Sequence, residues 1–392
     1  MCAVERHLRR GHSGGAPCAP PWLRDASPAG ARPPFRQPVN ARAHDARGAR
    51  RRAPRYHPRM SAAKMPRRQL VEGLAGVGLA AAGCAPASSA ASANAPAPAP
   101  AANPGGAASR DVGPAPAGLR KLGRTGAEVE AVSLGGEGIL RTAGRHDEAV
   151  PMIVEALRLG VRYCDTAPAY EQSQDYYGEA FRAVPGARER VFLASKTHIR
   201  DASGALRLLD DSLRRLGTDH LDLWQLHDLR DRGDLDAIFG KGGAIEAVER
   251  ARADGRVRHV GITGHHHPEI LVEAMRRYPV DTVLCAINPA DPRRLSFLRS
   301  VVPEARQRGV GVIGMKVMAA GRLLQDQAAS PEELVRYAAS WADTVIIGCS
   351  SIAEVRQNLA AGRSFTPMPD NERTALEARI APQAKRYDYF KA

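Results

Sequence analysis

The chain has no Cys-x-x-Cys and no cysteine or histidine grouping at metal-ligand spacing. Its six cysteines (Cys2, Cys18, Cys84, Cys164, Cys285 and Cys349) are scattered, so neither a zinc site nor a disulfide framework is readable from them. Cys164 and Cys285 lie inside apolar strand-like runs, where a buried thiol behaves as a small hydrophobe. Charge is also scarce where the chain can fold. Of the formal +14, residues 1–68 hold sixteen basic and three acidic residues, which leaves the rest at +1. A near-neutral folded part lacks the basic surface that tracks phosphates, so no nucleic-acid partner is expected. Nor does any apolar run approach the ~20 residues of a membrane-spanning helix.

What the first 118 residues do contain is compositional. Residues 1–64 are rich in Arg, Pro, Gly and Ala without a hydrophobic period, and are expected to be disordered. Residues 65–84 read differently: Met65-Pro66-Arg67-Arg68-Gln69-Leu70, an apolar run from Leu74 to Ala82, then Gly83-Cys84. That order is a basic region, a short apolar region and a small-residue cleavage site. The arginine pair resembles a twin-arginine export signal, and Ala81-Ala82-Gly83-Cys84 resembles a bacterial lipobox. The expectation is an exported protein, periplasmic or tethered by a lipid on Cys84, with translation starting at Met60 or Met65. If the signal does not function, the protein is cytoplasmic. Residues 85–118 form an Ala/Pro-rich tether.

From Leu119 to Ala392 the pattern changes. Strand-like runs at 130–135, 161–164, 191–195, 220–225, 257–262, 282–287, 310–315 and 343–347 alternate with amphipathic helical stretches. Eight such units in one domain length point to an α/β fold, a (β/α)8 barrel. The piece 119–129 reads as a β-hairpin ahead of the first barrel strand, capping the barrel floor.

Barrel active sites lie at the C-terminal strand ends. Asp165 and Tyr170 follow the second strand, Lys196 ends the third and His227 ends the fourth. Carbonyl reduction by hydride needs a proton delivered to the oxygen. A tyrosine hydroxyl can supply it if its pKa, ordinarily about 10, is lowered. An adjacent ammonium, Lys196, would lower it; Asp165 would keep that lysine charged; His227 would orient the substrate oxygen.

In this order, at these strand ends, the four residues match the Asp-Tyr-Lys-His tetrad, and the chain resembles the aldo-keto reductases. Leu122-Gly123-Arg124-Thr125-Gly126, Asp165-Thr166-Ala167, Asp222-Leu223-Trp224-Gln225-Leu226-His227 and Gly255-Arg256-Val257-Arg258-His259-Val260-Gly261 carry the same resemblance. It is closest to a bacterial branch with Gly-Ile-Thr-Gly-His at 261–265. The resemblance implies NADP, with NAD as the alternative, and a small-molecule carbonyl substrate. It also implies cofactor contacts at Thr263, Asn288, Met315, Lys316, Gly321, Arg322, Gly348, Ser350, Ser351, Glu354 and Asn358. Several depart from the family pattern. Thr263-Gly264 stand where Ser-Asn hold the nicotinamide amide, Leu284 replaces a Gln, and Met315 replaces the stacking Tyr. Asn288 shares a strand face with Leu284 and is expected to take over the amide contact. Gly348 to Ser351 open a helix whose N-terminus suits phosphate. Glu354 would repel a 2′-phosphate, with Lys316 and Arg322 to compensate.

His265-His266-His267 does not read as a metal site. Three successive histidines cannot all face one ion, and no carboxylate lies nearby at ligand spacing. Two rivals to a reductase stay open: a non-catalytic cofactor-sensing or regulatory barrel, and a metal-dependent barrel hydrolase. Oligomeric state is not legible.

Overall fold

Eight parallel strands close into a cylinder in the order β10-β3-β4-β5-β6-β7-β8-β9. They are β3 (Val132–Gly138), β4 (Tyr163–Asp165), β5 (Phe192–Thr197), β6 (Leu221–Leu226), β7 (Val257–Gly264), β8 (Thr282–Ala286), β9 (Gly311–Met315) and β10 (Thr344–Cys349). The computed structural model describes residues 118–391. The export-like segment at 65–84, Cys84 and the tether before Gly118 lie outside the described residues.

The helices between the strands are α1 (His146–Arg158), α2 (Ser173–Ala183), α3 (Ala202–Leu216), α4 (Ala244–Ala253), α5 (Pro268–Arg277), α6 (Phe297–Gln307), α7 (Pro331–Ala339) and α8 (Ile352–Arg363). Helix α3 shows why they form. Asp201 caps it by accepting the Gly204 N–H, and Gly217 ends it in the left-handed region at φ 64°. Between these ends Ala205, Leu209, Leu213 and Leu216 recur at helical spacing and are the buried apolar face. Leu209 and Leu216 are fully buried, so each contributes about 1.5–3 kcal/mol of burial. Helices at Arg232–Phe239, Arg322–Gln325, Asp370–Ile380 and Ala384–Tyr387 lie outside the eightfold alternation.

The hairpin β1 (Arg120–Lys121) and β2 (Glu128–Val129) is antiparallel and closes the barrel floor. Its Leu122 and Val129 join Tyr163, Ala194, Leu223, Leu284 and Ile313 in one apolar layer inside the cylinder. The turn fits because Gly123, at φ 47°, has no side chain: a Cβ there would lie 2.2 Å from the Gly311 nitrogen. Strand side chains alternate in and out, so inward positions recur every second residue. Two residues beyond Tyr163, Ala194 and Leu223, towards the strand C-termini, come Asp165, Lys196 and Gln225. An apolar layer at the bottom thus carries a polar layer at the mouth.

Candidate active site

The polar layer is built around one buried ion pair. Lys196 Nζ donates to Asp165 Oδ2 at 2.5 Å and to the Thr166 carbonyl at 2.9 Å, with neither pair member exposed. Gln225 Nε2 donates to the other Asp165 oxygen at 3.3 Å. An ammonium has three N–H donors; two are taken, and the Lys196 nitrogen lies 4.7 Å from the centre of the Tyr170 ring. Burial works against the charge on Lys196, but Asp165 and Tyr170 outweigh it and hold the lysine above its ordinary pKa.

Tyr170 is buried and packs edge-on to His227, ring centres 6.0 Å apart. It reaches this position because β3 carries no side chain at 136: a Cβ on Gly136 would come 2.6 Å from the Tyr170 ring carbons. The Arg141 guanidinium lies over the same ring at 5.2 Å. Lys196 does pull the tyrosine pKa down as expected, but the net shift is upward, and the expectation of a lowered hydroxyl is corrected. Burial pushes the hydroxyl above its ordinary range, and the pull of Lys196 falls short of it. Burial, with Lys196 adding to it, depresses His227 to about 3. At neutral pH the imidazole is therefore uncharged and can donate or accept a hydrogen bond without carrying a proton charge.

The expected cofactor contacts surround this mouth, several of them already engaged. Thr263 Oγ1 accepts the Asp228 N–H at 2.8 Å, which fixes the turn after His227. The Asn288 carboxamide donates to the Lys316 carbonyl at 3.1 Å and accepts the Ala290 N–H at 3.0 Å. Met315 packs on the barrel-interior layer. Lys316 holds Glu137 at 3.4 Å. Gly321, at φ 84°, precedes the short helix containing Arg322. Arg322 stacks at 3.6 Å on Tyr389 and donates to the Arg386 carbonyl, which ties it to the C-terminal segment. At the other end, Gly348 closes on Glu137, where a Cβ would lie 2.5 Å from the carbonyl carbon. Ser351 caps α8 by accepting the Glu354 N–H at 3.2 Å, and Glu354 accepts the Ser350 N–H at 2.8 Å. Asn358 donates to Cys349 Sγ at 3.3 Å.

Several contributors were not singled out from the sequence. Gln225 was visible as the one amide in an otherwise apolar strand face. Gly136 stood in a Gly-Gly pair inside a strand, a sign of close approach. The cap role of Glu354 was visible as Ser351-x-x-Glu354. The carboxylate that the histidine run lacks along the sequence arrives across strands: Asp228 Oδ1 lies 3.4 Å from His265 Nε2 and 3.5 Å from His266 Nε2.

Against known proteins, the model of the Aldo/keto reductase family matches residues 131–334. The chain is 28% identical over 302 residues to L-galactose dehydrogenase of Arabidopsis thaliana, covering 66% of this chain and 92% of that protein. An aldo-keto reductase of Bacillus halodurans in its holo form superposes with a TM-score of 0.56 at 25% identity, covering 67% of this chain and 95% of its own. An aldo/keto reductase of Klebsiella pneumoniae, solved with NADP and acetate, shares the fold at a TM-score of 0.55 and 23% identity, covering 68% of this chain and 97% of its own.

Proposed function

Because this chain belongs to the aldo/keto reductase family, we propose that it reduces an aldehyde or ketone to the alcohol with Tyr170 as the proton donor. Membership makes it an oxidoreductase acting on carbonyl and alcohol groups with NAD(P). NADP is the cofactor this reading adopts, in keeping with the NADP of the Klebsiella structure. The donor set at the mouth fits such a dinucleotide: the hydroxyls of Ser350 and Ser351 at the start of α8, and the Lys316 ammonium, suit phosphate oxygens. Glu354 at the same helix start favours NAD over NADP only as far as an exposed carboxylate repels a phosphate. When bound, the cofactor supplies the hydride.

The chain's own residues supply the rest. Asp165 and the Thr166 carbonyl hold Lys196 charged, with its remaining proton left for the tyrosine side. Tyr170, neutral because burial favours the phenol, gives its proton to the carbonyl oxygen, and the phenolate so formed is stabilised by Lys196. Neutral His227 orients that oxygen by a hydrogen bond. The single observation that carries the reading is the placement of Tyr170 between the buried Lys196 ammonium and the uncharged His227. We assign the substrate to hydroxylated aldehydes, on the name of the Arabidopsis relative and the polar groups at the mouth (Arg141, His198 and His265).

The test follows NADPH oxidation with a panel of aldoses and simple aldehydes, in the wild type and in Tyr170→Phe. Turnover that falls about 10²–10⁴-fold in the variant, with cofactor binding kept, is the expected result. Turnover kept in the variant would remove Tyr170 from the chemistry, and cofactor binding without turnover on any carbonyl would favour a sensing barrel. We also propose export through the 65–84 segment; an intact Met1 in mature protein from the native host would end that reading.

A further inference from the structure

We propose that Asp228, His265 and His266 form a binding site for a divalent cation of the zinc class, beside the tetrad and separate from it. Asp228 follows His227 at the end of β6, while the two histidines follow β7, so neighbouring strand ends bring the three together. Their ligand atoms all lie within 4.8 Å of one another, and the two Asp228–His separations are 3.4 and 3.5 Å. A tetrahedral ion with ligand bonds of about 2.0–2.1 Å has edges of about 3.3–3.4 Å, so the two Asp228–His separations match two of its edges.

The contacts are not hydrogen bonds in disguise. Asp228 Oδ1 and His266 Nε2 are buried and find no hydrogen-bond partner among the described residues, although a carboxylate oxygen and two ring nitrogens stand within 3.5 Å. Lone pairs converging on a common point give short distances with poor hydrogen-bond angles. The surroundings orient Asp228 as the carboxylate of a metal site is oriented. The other oxygen of Asp228 is held by Arg230 at 2.7 Å, and the Asp228 N–H by Thr263 at 2.8 Å. These hold Asp228 in the left-handed region at φ 56°, a conformation rare for a residue with a side chain. His265 is held by the Phe390 ring at 5.8 Å and by the Phe390 backbone. His267 turns away to Glu269 at 3.2 Å. Two imidazoles and one carboxylate suit Zn²⁺, Co²⁺ or Ni²⁺, and three protein ligands leave a fourth position for water or a substrate hydroxyl.

The test uses the untagged full chain, stripped with chelator and titrated with Co²⁺ under visible absorption, then with Zn²⁺ in competition. The wild type is expected to take one equivalent with the intense visible bands of four-coordinate Co²⁺, and Zn²⁺ to abolish them. His266→Ala is expected to lower affinity about 100-fold, Arg230→Gln about tenfold, and His267→Ala not at all. His266→Gln, which keeps the size and polarity of the side chain, must lose the bands as His266→Ala does. Absence of stoichiometric binding, equal binding in wild type and both His266 variants, or an equal loss in His267→Ala would overturn the proposal.

Discussion

Two lysine–aspartate pairs in this barrel are completely buried, and they differ in what surrounds them. In the C-terminal segment, Lys391 Nζ donates to Asp291 Oδ1 at 2.7 Å, to the Asp291 carbonyl at 3.2 Å and to the Arg294 carbonyl at 2.7 Å. Asp291 in turn accepts from Ser296, Phe297 N and Leu298 N. Every proton of that ammonium is spent. At the mouth, Lys196 has two such acceptors and a tyrosine in place of the third. Both pairs carry the desolvation cost of buried charge. The saturated one returns it as a fixed tail, and the unsaturated one keeps a proton position on the side of Tyr170, the proton donor we propose. Saturation separates a clamp from a proposed catalyst here, although the residue types and burial are the same.

The comparison can be broken at either pair. Lys196→Met leaves Asp165 buried with only Gln225, so unfolding free energy should fall by about 3–5 kcal/mol and turnover should collapse with it. Denaturant titration and NADPH oxidation on one preparation measure both. Lys391→Met should cost about 3 kcal/mol, the low end for a broken buried pair, because Asp291 keeps three donors; turnover per folded molecule should hold. If Lys391→Met reduced turnover as Lys196→Met does, the distinction between the pairs would fail.

Acid sharpens the contrast, because His227 sits beside the unsaturated lysine. Its pKa is about 3 in the folded chain against about 6.5 unfolded, so the unfolded state binds its proton first. Stability from this group is complete above pH ~6.5 and is lost as pH falls towards 3, by roughly 2 kcal/mol at pH 5. His227→Gln should flatten that part of the stability–pH curve measured by thermal melting. On the alkaline side reduction should persist beyond the usual tyrosine range of about 10, since Tyr170 is shifted upward and, as the acid we propose, acts in its protonated form. The smallest effect belongs to an exposed charge: Glu354→Gln should tighten NADPH about tenfold relative to NADH by fluorescence titration. It should leave the cap of α8 nearly unchanged, because Ser351 still accepts the backbone N–H of residue 354 and a Gln oxygen can still accept the Ser350 N–H.

Most of this frame was legible in the sequence. Strands β3 to β10 fall on the expected apolar runs, because burial on a barrel strand leaves a local apolar record. The tetrad was legible because each member ends a strand or closely follows one, so position along the chain implied position at the mouth. What could not be read depended on distance across the barrel. The convergence of Asp228 with His265 and His266 joins two strand ends that sequence separates. The saturation of Lys391 rests on Asp291, 100 residues away. The sign of the Tyr170 shift depends on how deeply the ring is sunk beside Gly136, and no residue type announces depth. The anchoring of Arg322 to Tyr389 and the Arg386 carbonyl was not legible either, because more than sixty residues separate the partners.

The hairpin under the barrel has a bearing on traffic. With Leu122 and Val129 packed beneath an interior already filled by Tyr163, Ala194, Leu223, Leu284 and Ile313, the cylinder offers one face only, its mouth, to small molecules. Reactant and product therefore arrive and depart across the same face and queue there. Steady-state kinetics should carry the mark of that queue, with the alcohol product competing for entry and slowing the reaction as it accumulates.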